Sequence, residues 1–494
     1  MPEVNPGALL AGVAKVEITA GPAAETDDPL YGRIAADTRN DPLYAKALVL
    51  QQGTVRVALV TVDAVAVAEI GTIDNGFLGR VRGRLADEAG IPPENVLVNA
   101  SHCHGVVCAD VDAKTVEAVR RAAAALEPVR AGAGRGFEDR IMENRRIRMK
   151  DGSEADVRRA YALPPDEDVG GVGPVDPEIG VLRLDTLGGA ALAVVFNFAC
   201  HPIQGVPSGG NTADISGFAA RVVEEQLGCT AFFVQGCGAD INPVLYKDTD
   251  NPPDAEPLGT LLGLSTLRAL RGTESAPGAR LGCVRRRLEL PRADLGPAVE
   301  ALRAEQERLL QSLQGNSLNF KEFVPLLVKY SLGGEYPSYA AHRYLHEEQR
   351  GRSHLKKLDA DNREALEAYI ANIRVMEALT RVRTNLGLLE MHQKKNREAP
   401  SSTVGAEVMG LRVGDFVLVS FPGELPVEIG LGIKARSPHP RTFVAGVTNG
   451  YLYYTPTAAQ MENRGRAQED SDCLVAAEWQ ALFEAEAAEV LRAL

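Results

Sequence analysis

The chain has 494 residues, of which 45% are hydrophobic and 24% charged, and its formal net charge is −13 at pH 7. This composition is typical of globular proteins with a large buried core, and no run reaches the roughly 18 consecutive apolar residues of a membrane span. The acidic balance argues against nucleic acid as a partner, because phosphates attract basic surfaces.

The start of the chain and its cysteines indicate a compartment. Residues 1–12 lack the basic stretch and the long apolar run of a secretory signal peptide. The seven cysteines are an odd number and show no Cys-x-x-Cys spacing, which favours reduced thiols over a disulfide framework. We therefore expect a cytoplasmic protein.

The first 290 residues alternate between strand-like and helix-like segments. Strands are predicted over 55–62, 96–102, 191–200 and 230–235, and helices over 75–89, 115–126 and 217–227, the last capped by Ser216. Such alternation indicates an α/β fold. We predict a central, mostly mixed β-sheet core flanked by helices.

The pattern changes between residues 295 and 398. Residues 295–313 and 360–390 are long, charged and poor in β-branched runs, which is typical of helices. We predict a single domain over residues 1–494 that is interrupted by a helical insertion at about 295–398. Such an insertion is a candidate for covering an active site or for mediating a homo-oligomer.

Neither the insertion nor the segment after it points to a second functional unit. His342 and His346 have the i, i+4 spacing of a helical metal site, but no glutamate follows the first histidine as in His-Glu-x-x-His proteases, so a solvated helix face is the better interpretation. Strand-like sequence resumes at residue 405 and includes residues 415–420. An amphipathic helix is predicted over 474–494, with no trailing domain.

Two apolar strands run into histidine, and the chain has only eight histidines. The strand after Val96 ends in Ser-His102-Cys-His104, and the strand after Ala191 ends in Cys-His201. On an extended strand end, His102 and His104 would project to the same side, because side chains alternate with period two. Imidazole is the commonest zinc ligand, so these residues are candidate ligands; the alternative is a hydrogen-bonded structural role.

Six segments carry a resemblance to a known family. They are Asp41–Leu50, Asn99–Gly105, Asn197–Pro202, Gln235–Pro243, Phe421–Glu424 and Thr448–Tyr454. In this order, and over most of the chain, they resemble the landmarks of the neutral, non-lysosomal ceramidases. The catalytic domain of that family binds one zinc ion through two histidines, a glutamate and a tyrosine, and it hydrolyses the amide bond of ceramide. The resemblance therefore implies a zinc-dependent hydrolase.

Carried over to this chain, the resemblance implies the zinc ligands His102, His201, Glu424 and Tyr454. Tyr451 is the alternative to Tyr454, because both stand in the sequence Asn-Gly-Tyr-Leu-Tyr-Tyr. Two imidazoles with a carboxylate form a familiar hydrolytic zinc site, and a phenol can occupy or border a further position. Without the resemblance, a glutamate after Pro-Gly would be interpreted as an exposed turn residue.

Two further residues are candidates for catalysis. His104 would lie beside the metal and would accept a proton from bound water or bond to the substrate carbonyl, the alternative being a structural role. The resemblance implies an active-site arginine near Arg145, whose guanidinium would bind a carboxylate or carbonyl of the substrate. Because five basic residues lie between positions 140 and 150, a solvated surface is the alternative.

The chain departs from the family at Asn242. Ceramidases have a serine there, within a Gly-Asp-Val-Ser-Pro pattern, and that serine is implicated in amide cleavage. An asparagine side chain can exchange hydrogen bonds but cannot act as an acyl-accepting nucleophile, so covalent catalysis at this position is excluded. Zinc-bound water is then the expected nucleophile, and Asn242 is expected to orient the substrate or an oxyanion. The alternative is an ordinary glycine-rich turn.

These observations predict a zinc-dependent hydrolase that cleaves the amide bond of a small soluble substrate. Ceramide itself is disfavoured, because the serine, a signal peptide and the family's usual immunoglobulin-like C-terminal domain are all missing from the sequence. The alternatives are a lactonase, an esterase or a carbohydrate-acting metalloenzyme, since a fold does not fix its chemistry. A catalytically silent metal-binding scaffold is the alternative outside enzymes.

Overall fold

The computed structural model of the protein describes residues 7–20, 25–28, 32–35, 41–157, 163–205, 211–246, 254–338 and 340–494. Its strands are β1 (Leu10–Glu17), β2 (Glu25–Asp28), β3 (Gly32–Ala35), β4 (Tyr44–Gln52), β5 (Val55–Val62), β6 (Val96–Ala100), β7 (Glu127–Phe137), β8 (Met142–Asn144), β9 (Arg146–Met149), β10 (Glu154–Asp156), β11 (Val169–Val172), β12 (Glu178–Thr186), β13 (Ala191–Phe198), β14 (Thr230–Gln235), β15 (Ile241–Pro243), β16 (Leu281–Pro291), β17 (Thr403–Val413), β18 (Phe416–Ser420) and β19 (Thr442–Ala445). Its α-helices are α1 (Phe77–Ala89), α2 (Val111–Ala124), α3 (Asp214–Leu227), α4 (Ala255–Arg271), α5 (Gly296–Gln311), α6 (Phe320–Leu332), α7 (His342–Gln349), α8 (His354–Glu398), α9 (Val427–Arg436), α10 (Gln468–Ser471) and α11 (Trp479–Ala493).

The strands form two main sheets, which confirms the predicted mixed α/β fold. An eight-stranded sheet has the order β14-β13-β12-β7-β1-β4-β5-β6, and a four-stranded sheet has the order β16-β17-β18-β19. Most pairs are antiparallel, but β5–β6, β13–β14 and β18–β19 are parallel. A parallel pair needs a crossover, and here the crossovers contain α1, α3 and α9.

Apolar side chains from both sheets share one core. Its larger members are Leu48, Leu59, Leu97, Leu182, Phe232, Leu411, Leu418 and Phe443, all fully buried or nearly so. Burying each such side chain contributes about 1.5–3 kcal/mol relative to leaving it in water. The helices cover the outer faces, with α1, α2 and α11 packed in one apolar cluster and α3 and α4 in another. Because residues of both sheets pack in this core, the ends of the three parallel strand pairs are held in fixed positions relative to one another.

Two buried asparagines tie these strand ends together. The amide of Asn99 donates to the backbone oxygen of Gly446 at 2.8 Å, and its oxygen accepts from the backbone of Gln235 at 3.0 Å. Asn197 donates to the backbone oxygen of Val444 at 3.1 Å. Because buried amides are costly unless they are satisfied, these bonds fix where β6, β13 and β19 meet.

Several helix boundaries differ from the predicted ones. Helix α3 begins at Asp214, so the prediction of Ser216 as its cap was wrong; the Ser216 hydroxyl lies inside the first turn and donates to the backbone oxygen of Ala213. The last helix begins at Trp479 and not at residue 474, because Cys473 and Val475 are held in β-bridges to other segments. Local sequence cannot reveal such long-range pairing.

Four helices, α5 to α8, occupy residues 296–398, where the sequence predicted helical structure. The predicted segment 360–390 is the middle of the 45-residue α8, which is about 67 Å long at 1.5 Å per residue. Among the residues described, no helix is both long enough and apolar enough to cross a membrane.

Candidate active site

A left-handed turn orients His102. Strand β6 ends two residues earlier, at Ala100, and His102 has φ 67°. Its backbone N–H donates to Ala64 at 3.0 Å, and its Nδ1 lies 2.6 Å from the backbone oxygen of Val65. A positive φ at a non-glycine residue costs on the order of 1–3 kcal/mol and persists only where the surroundings enforce it. The ring direction is therefore set by this turn and not by strand alternation.

His201 is fixed in a similar way after β13. Its backbone N–H donates to the oxygen of Ile241 at 2.9 Å, and its Nδ1 lies 2.5 Å from the backbone oxygen of Gly238. The residue is 2% exposed. Burial and the charge of Arg145 lower the pKa of His201 to about 3. The imidazole is accordingly neutral at physiological pH.

Glu424 follows β18 and points toward both histidines. One carboxylate oxygen lies 3.1 Å from Nε2 of His201 and 3.4 Å from Nε2 of His102. The other oxygen accepts a hydrogen bond from the hydroxyl of Tyr451. Glu424 is 2% exposed, so it is not the solvated turn residue that its Pro-Gly context would otherwise suggest.

These three side chains present a donor set that suits a cation. Backbone carbonyls can only accept hydrogen bonds, so the neutral form of each imidazole carries its proton on Nδ1 and directs the lone pair of Nε2 outward. Both lone pairs then face the carboxylate of Glu424, and the donor atoms of His102, His201 and Glu424 lie within 4.8 Å of one another. Such a group repels itself unless a positive charge lies between its members. It could hold a metal ion.

The pKa values of His102 and Glu424 are shifted because these two side chains lie so close together. Burial alone would lower the pKa of His102, but the carboxylate of Glu424 outweighs burial and raises it. Burial alone would raise the pKa of Glu424, but His102 and His201 hold it well below its usual range. Both shifts have the same direction of effect: a positive charge beside the carboxylate of Glu424 is stabilised.

Arg145 lies close enough to this group for its charge to lower the pKa of His201, and it is 2% exposed, so the solvated-surface interpretation does not apply to it. Its guanidinium donates to Oδ1 of Asn242 at 3.0 Å and to the hydroxyl of Tyr454 at 3.2 Å. The pairing of β8 with β15 brings this segment beside Asn242. Arg145, Asn242 and Tyr454 thus form one connected set.

The remaining predicted residues also lie at this place. The ring centroids of His104 and His102 are 5.5 Å apart, and His104 is buried. Of the two candidate phenols, Tyr451 contacts the carboxylate of Glu424, whereas Tyr454 contacts the guanidinium of Arg145. The choice of Tyr454 as a metal ligand stays a prediction.

A buried ion network behind Arg145 was missed by the sequence analysis. Glu469 accepts from Arg145 at 2.5 Å and from Arg146 at 3.1 Å, and Arg146 also pairs with Asp470 at 2.8 Å. Asp470 and Glu469 belong to a Gln-Glu-Asp-Ser-Asp run. Local sequence suggests an exposed surface for such a run, because charged residues are seldom buried unless paired, and the partners lie more than 300 positions away.

We expect Glu469→Ala to lower the free energy of unfolding by about 3–5 kcal/mol, because two buried guanidinium groups lose a shared partner. Urea unfolding followed by circular dichroism measures this change. Glu489→Ala is the matched control: its pair with Arg492 is about 60% exposed on both sides, so the expected change is under about 1 kcal/mol. Equal changes in the free energy of unfolding of the two variants would show that the buried network stabilises the fold no more than an exposed ion pair does.

Comparison with solved structures supports the ceramidase-like fold that the sequence motifs predicted. No protein-family model matches the chain, and no curated protein matches its sequence significantly. It is similar to the solved structure of neutral ceramidase from Pseudomonas aeruginosa, with a TM-score of 0.60 and 16% identity over 98% of this chain and 74% of that one. A ceramidase complexed with C2 is similar with the same TM-score and identity, over 98% of this chain and 75% of that one. The chain therefore has a ceramidase-like fold, as its motifs predicted.

Proposed function

We propose that the protein is a zinc-dependent hydrolase that cleaves the amide bond of a small soluble substrate. The zinc ligands in this proposal are His102, His201 and Glu424, with Tyr454 as the fourth. The observation that carries it is the convergence of the Nε2 atoms of two buried imidazoles on one buried carboxylate. When bound, zinc polarises a carbonyl and lowers the pKa of a water to about 7.

The other residues of the site have separate roles in this proposal. Asn242 uses its amide oxygen to accept from Arg145, which leaves its N–H groups to donate to the oxygen of the substrate carbonyl. Arg145 holds Asn242 and the hydroxyl of Tyr454 in fixed positions. A ring nitrogen of His104 accepts the proton of the attacking water and returns it to the leaving amine.

Asn242 also decides the route of the reaction. Since it offers no hydroxyl, no acyl group can be transferred to this position, and water attacks the carbonyl directly. The carbonyl carbon gains the water oxygen, the carbon–nitrogen bond breaks, and the products are a carboxylic acid and an amine.

A charged cavity beside the candidate site supports a polar substrate. The cavity borders Tyr451, whose hydroxyl contacts Glu424, and its lining includes the charged residues Glu69, Arg285 and Arg287. Charged walls next to the site would favour the approach of a polar molecule over that of a long acyl chain.

The seven cysteines are unpaired, which suits action in the reducing cytoplasm.

Paired substrates test the proposal. Zinc-loaded protein is incubated with N-acylated sugars, N-acylated amino acids and short N-acyl lipids, each beside the O-acyl compound with the same acyl group. We expect amine release from a small soluble amide, and loss of that release after chelation. Cleavage of the esters or of lactones alone would overturn the amidase assignment. Bound zinc without turnover of any compound would identify a binding scaffold.

A further inference from the structure

Tyr453 stands in the sequence between the two candidate phenols, but its side chain packs against helix α8. Its hydroxyl accepts from Nζ of Lys395 and donates to the carboxylate of Glu69 at 3.2 Å. Lys395 and Glu69 also pair with each other at 2.8 Å. The ring of Tyr453 meets that of His392 edge-on, with centroids 4.6 Å apart. The side chain is therefore held at both its hydroxyl and its ring.

Helix α8 supplies these contacts from one face near its C-terminal end. His392, Lys395 and Asn396 are spaced by three and one residues, which places them on the same side of a helix. Nε2 of His392 lies 2.6 Å from the carboxylate of Asp472, and the amide of Asn396 donates to the backbone oxygen of Leu474 at 2.8 Å. The same face thus fixes α8 to a second segment of the chain as well.

The backbone of Tyr453 is left-handed. Its φ of 58° is uncommon for any residue with a side chain and is an outlier for a bulky one. Such a conformation persists only where the surrounding structure enforces it. A β-bridge to Cys473 holds the backbone, and the contacts with α8 hold the side chain. Tyr453 is therefore the point at which the packing of α8 meets the main chain of the candidate site.

The main chain around Tyr453 also holds Glu424. The carbonyl oxygen of Tyr453 accepts from the N–H of Glu424 at 2.9 Å, and the N–H of Thr455 donates to the carbonyl oxygen of Glu424 at 3.1 Å. The hydroxyl of Thr455 donates to that same oxygen at 2.9 Å. Three hydrogen bonds thus fix the main chain from which the carboxylate of Glu424 reaches His102 and His201.

We propose that Tyr453 is a positioning residue through which helix α8 holds Glu424 in place for metal binding. The connection runs from Lys395 through the hydroxyl and the left-handed backbone of Tyr453 to the N–H of Glu424. Because metal–ligand distances tolerate only about ±0.2 Å, the main chain of a ligand must be held as firmly as its side chain. This inference rests on the proposed function, since it takes Glu424 as a metal ligand.

The affinity for zinc tests the connection. Tyr453→Phe removes the hydroxyl but keeps the ring, and Lys395→Met removes the partner of that hydroxyl. Each change is expected to raise the zinc dissociation constant about 10- to 100-fold, as is typical for residues that support a metal ligand from behind. Because both changes break the same connection, the double variant should bind zinc about as weakly as either single variant. Competition with a chromogenic chelator measures the constants.

Two further variants separate this role from a general effect on α8. Lys395→Arg keeps a cationic donor beside the hydroxyl and is expected to retain most of the affinity. Lys394→Met is the matched control, because the pair of Lys394 with Glu398 spans 3.9 Å and is exposed on both sides. Its zinc dissociation constant should equal that of the parent. The visible spectrum of cobalt-loaded protein, which reports ligand geometry, should change in Tyr453→Phe and stay the same in Lys394→Met.

Two outcomes would count against different claims. Lower stability toward urea with an unchanged zinc constant and cobalt spectrum in Tyr453→Phe would overturn this inference, because Tyr453 would then support only the fold. A parent that binds neither metal would overturn the proposed function, and crystals of the metal-free parent and Tyr453→Phe would then decide the inference. A carboxylate of Glu424 displaced from His201 in the variant would support it, and an unmoved carboxylate would contradict it.

Discussion

Replacing His201 with alanine is expected to abolish stoichiometric metal binding and, with it, hydrolysis. The variant loses one of the donor atoms that lie within 4.8 Å of one another. Loss of a mere hydrogen-bond partner behind a metal ligand costs about 10- to 100-fold in affinity, so loss of a ligand should exceed that range. Mass spectrometric metal analysis after zinc loading and dialysis measures the result.

The matched control for this variant is His346→Ala, because His346 lies exposed on α7. Its metal content should equal that of the parent. Unfolding by urea should show that both variants remain folded, which separates lost ligation from lost structure. Equal metal content in His201→Ala and the parent would mean that the ligand assignment is wrong.

Replacing Asn242 with alanine is expected to slow turnover about 100- to 1,000-fold while leaving metal content unchanged, because one oriented hydrogen-bond donor is lost. Arg145 keeps its bonds to Glu469 and Tyr454, so its position should survive the change. The rate with a substrate found in the paired screen measures the effect. Unchanged turnover would remove Asn242 from the site.

The same residue gives a test of the direct attack by water. Intact-chain mass spectrometry during a single turnover with a trapping nucleophile is expected to detect no acyl adduct on the parent. Asn242→Ser restores the residue type of the ceramidases at this position, and it serves as the comparison that could accumulate such an adduct. An acyl group on any residue of the parent would contradict direct attack.

The sequence was informative where local pattern and chemistry coincide. His102 and His201 follow apolar strands, and Glu424 follows β18 in a motif that stands in the family's order, so all were identified without coordinates. The α/β architecture followed from alternating segments for the same reason. Hydrophobic periodicity and strand-end chemistry are both readable over short distances.

Other features depend on contacts between distant segments. Glu469 resembles a surface acid in its own sequence, and only the fold brings Arg145 and Arg146 to it. Local propensity disfavours the left-handed φ of His102, and hydrogen bonds to the segment after β5 enforce it. The strand-end histidines and the resemblance to the ceramidase motifs therefore predicted the candidate ligands, but they did not predict the network that positions the neighbouring residues.

The location of the metal is the most direct test of the proposed site. Crystals grown with one equivalent of zinc and measured on both sides of the zinc absorption edge would reveal the ion by its anomalous scattering. We predict one peak between Nε2 of His102, Nε2 of His201 and the carboxylate of Glu424. A peak elsewhere, or none in crystals shown to contain zinc-loaded protein, would contradict the assignment.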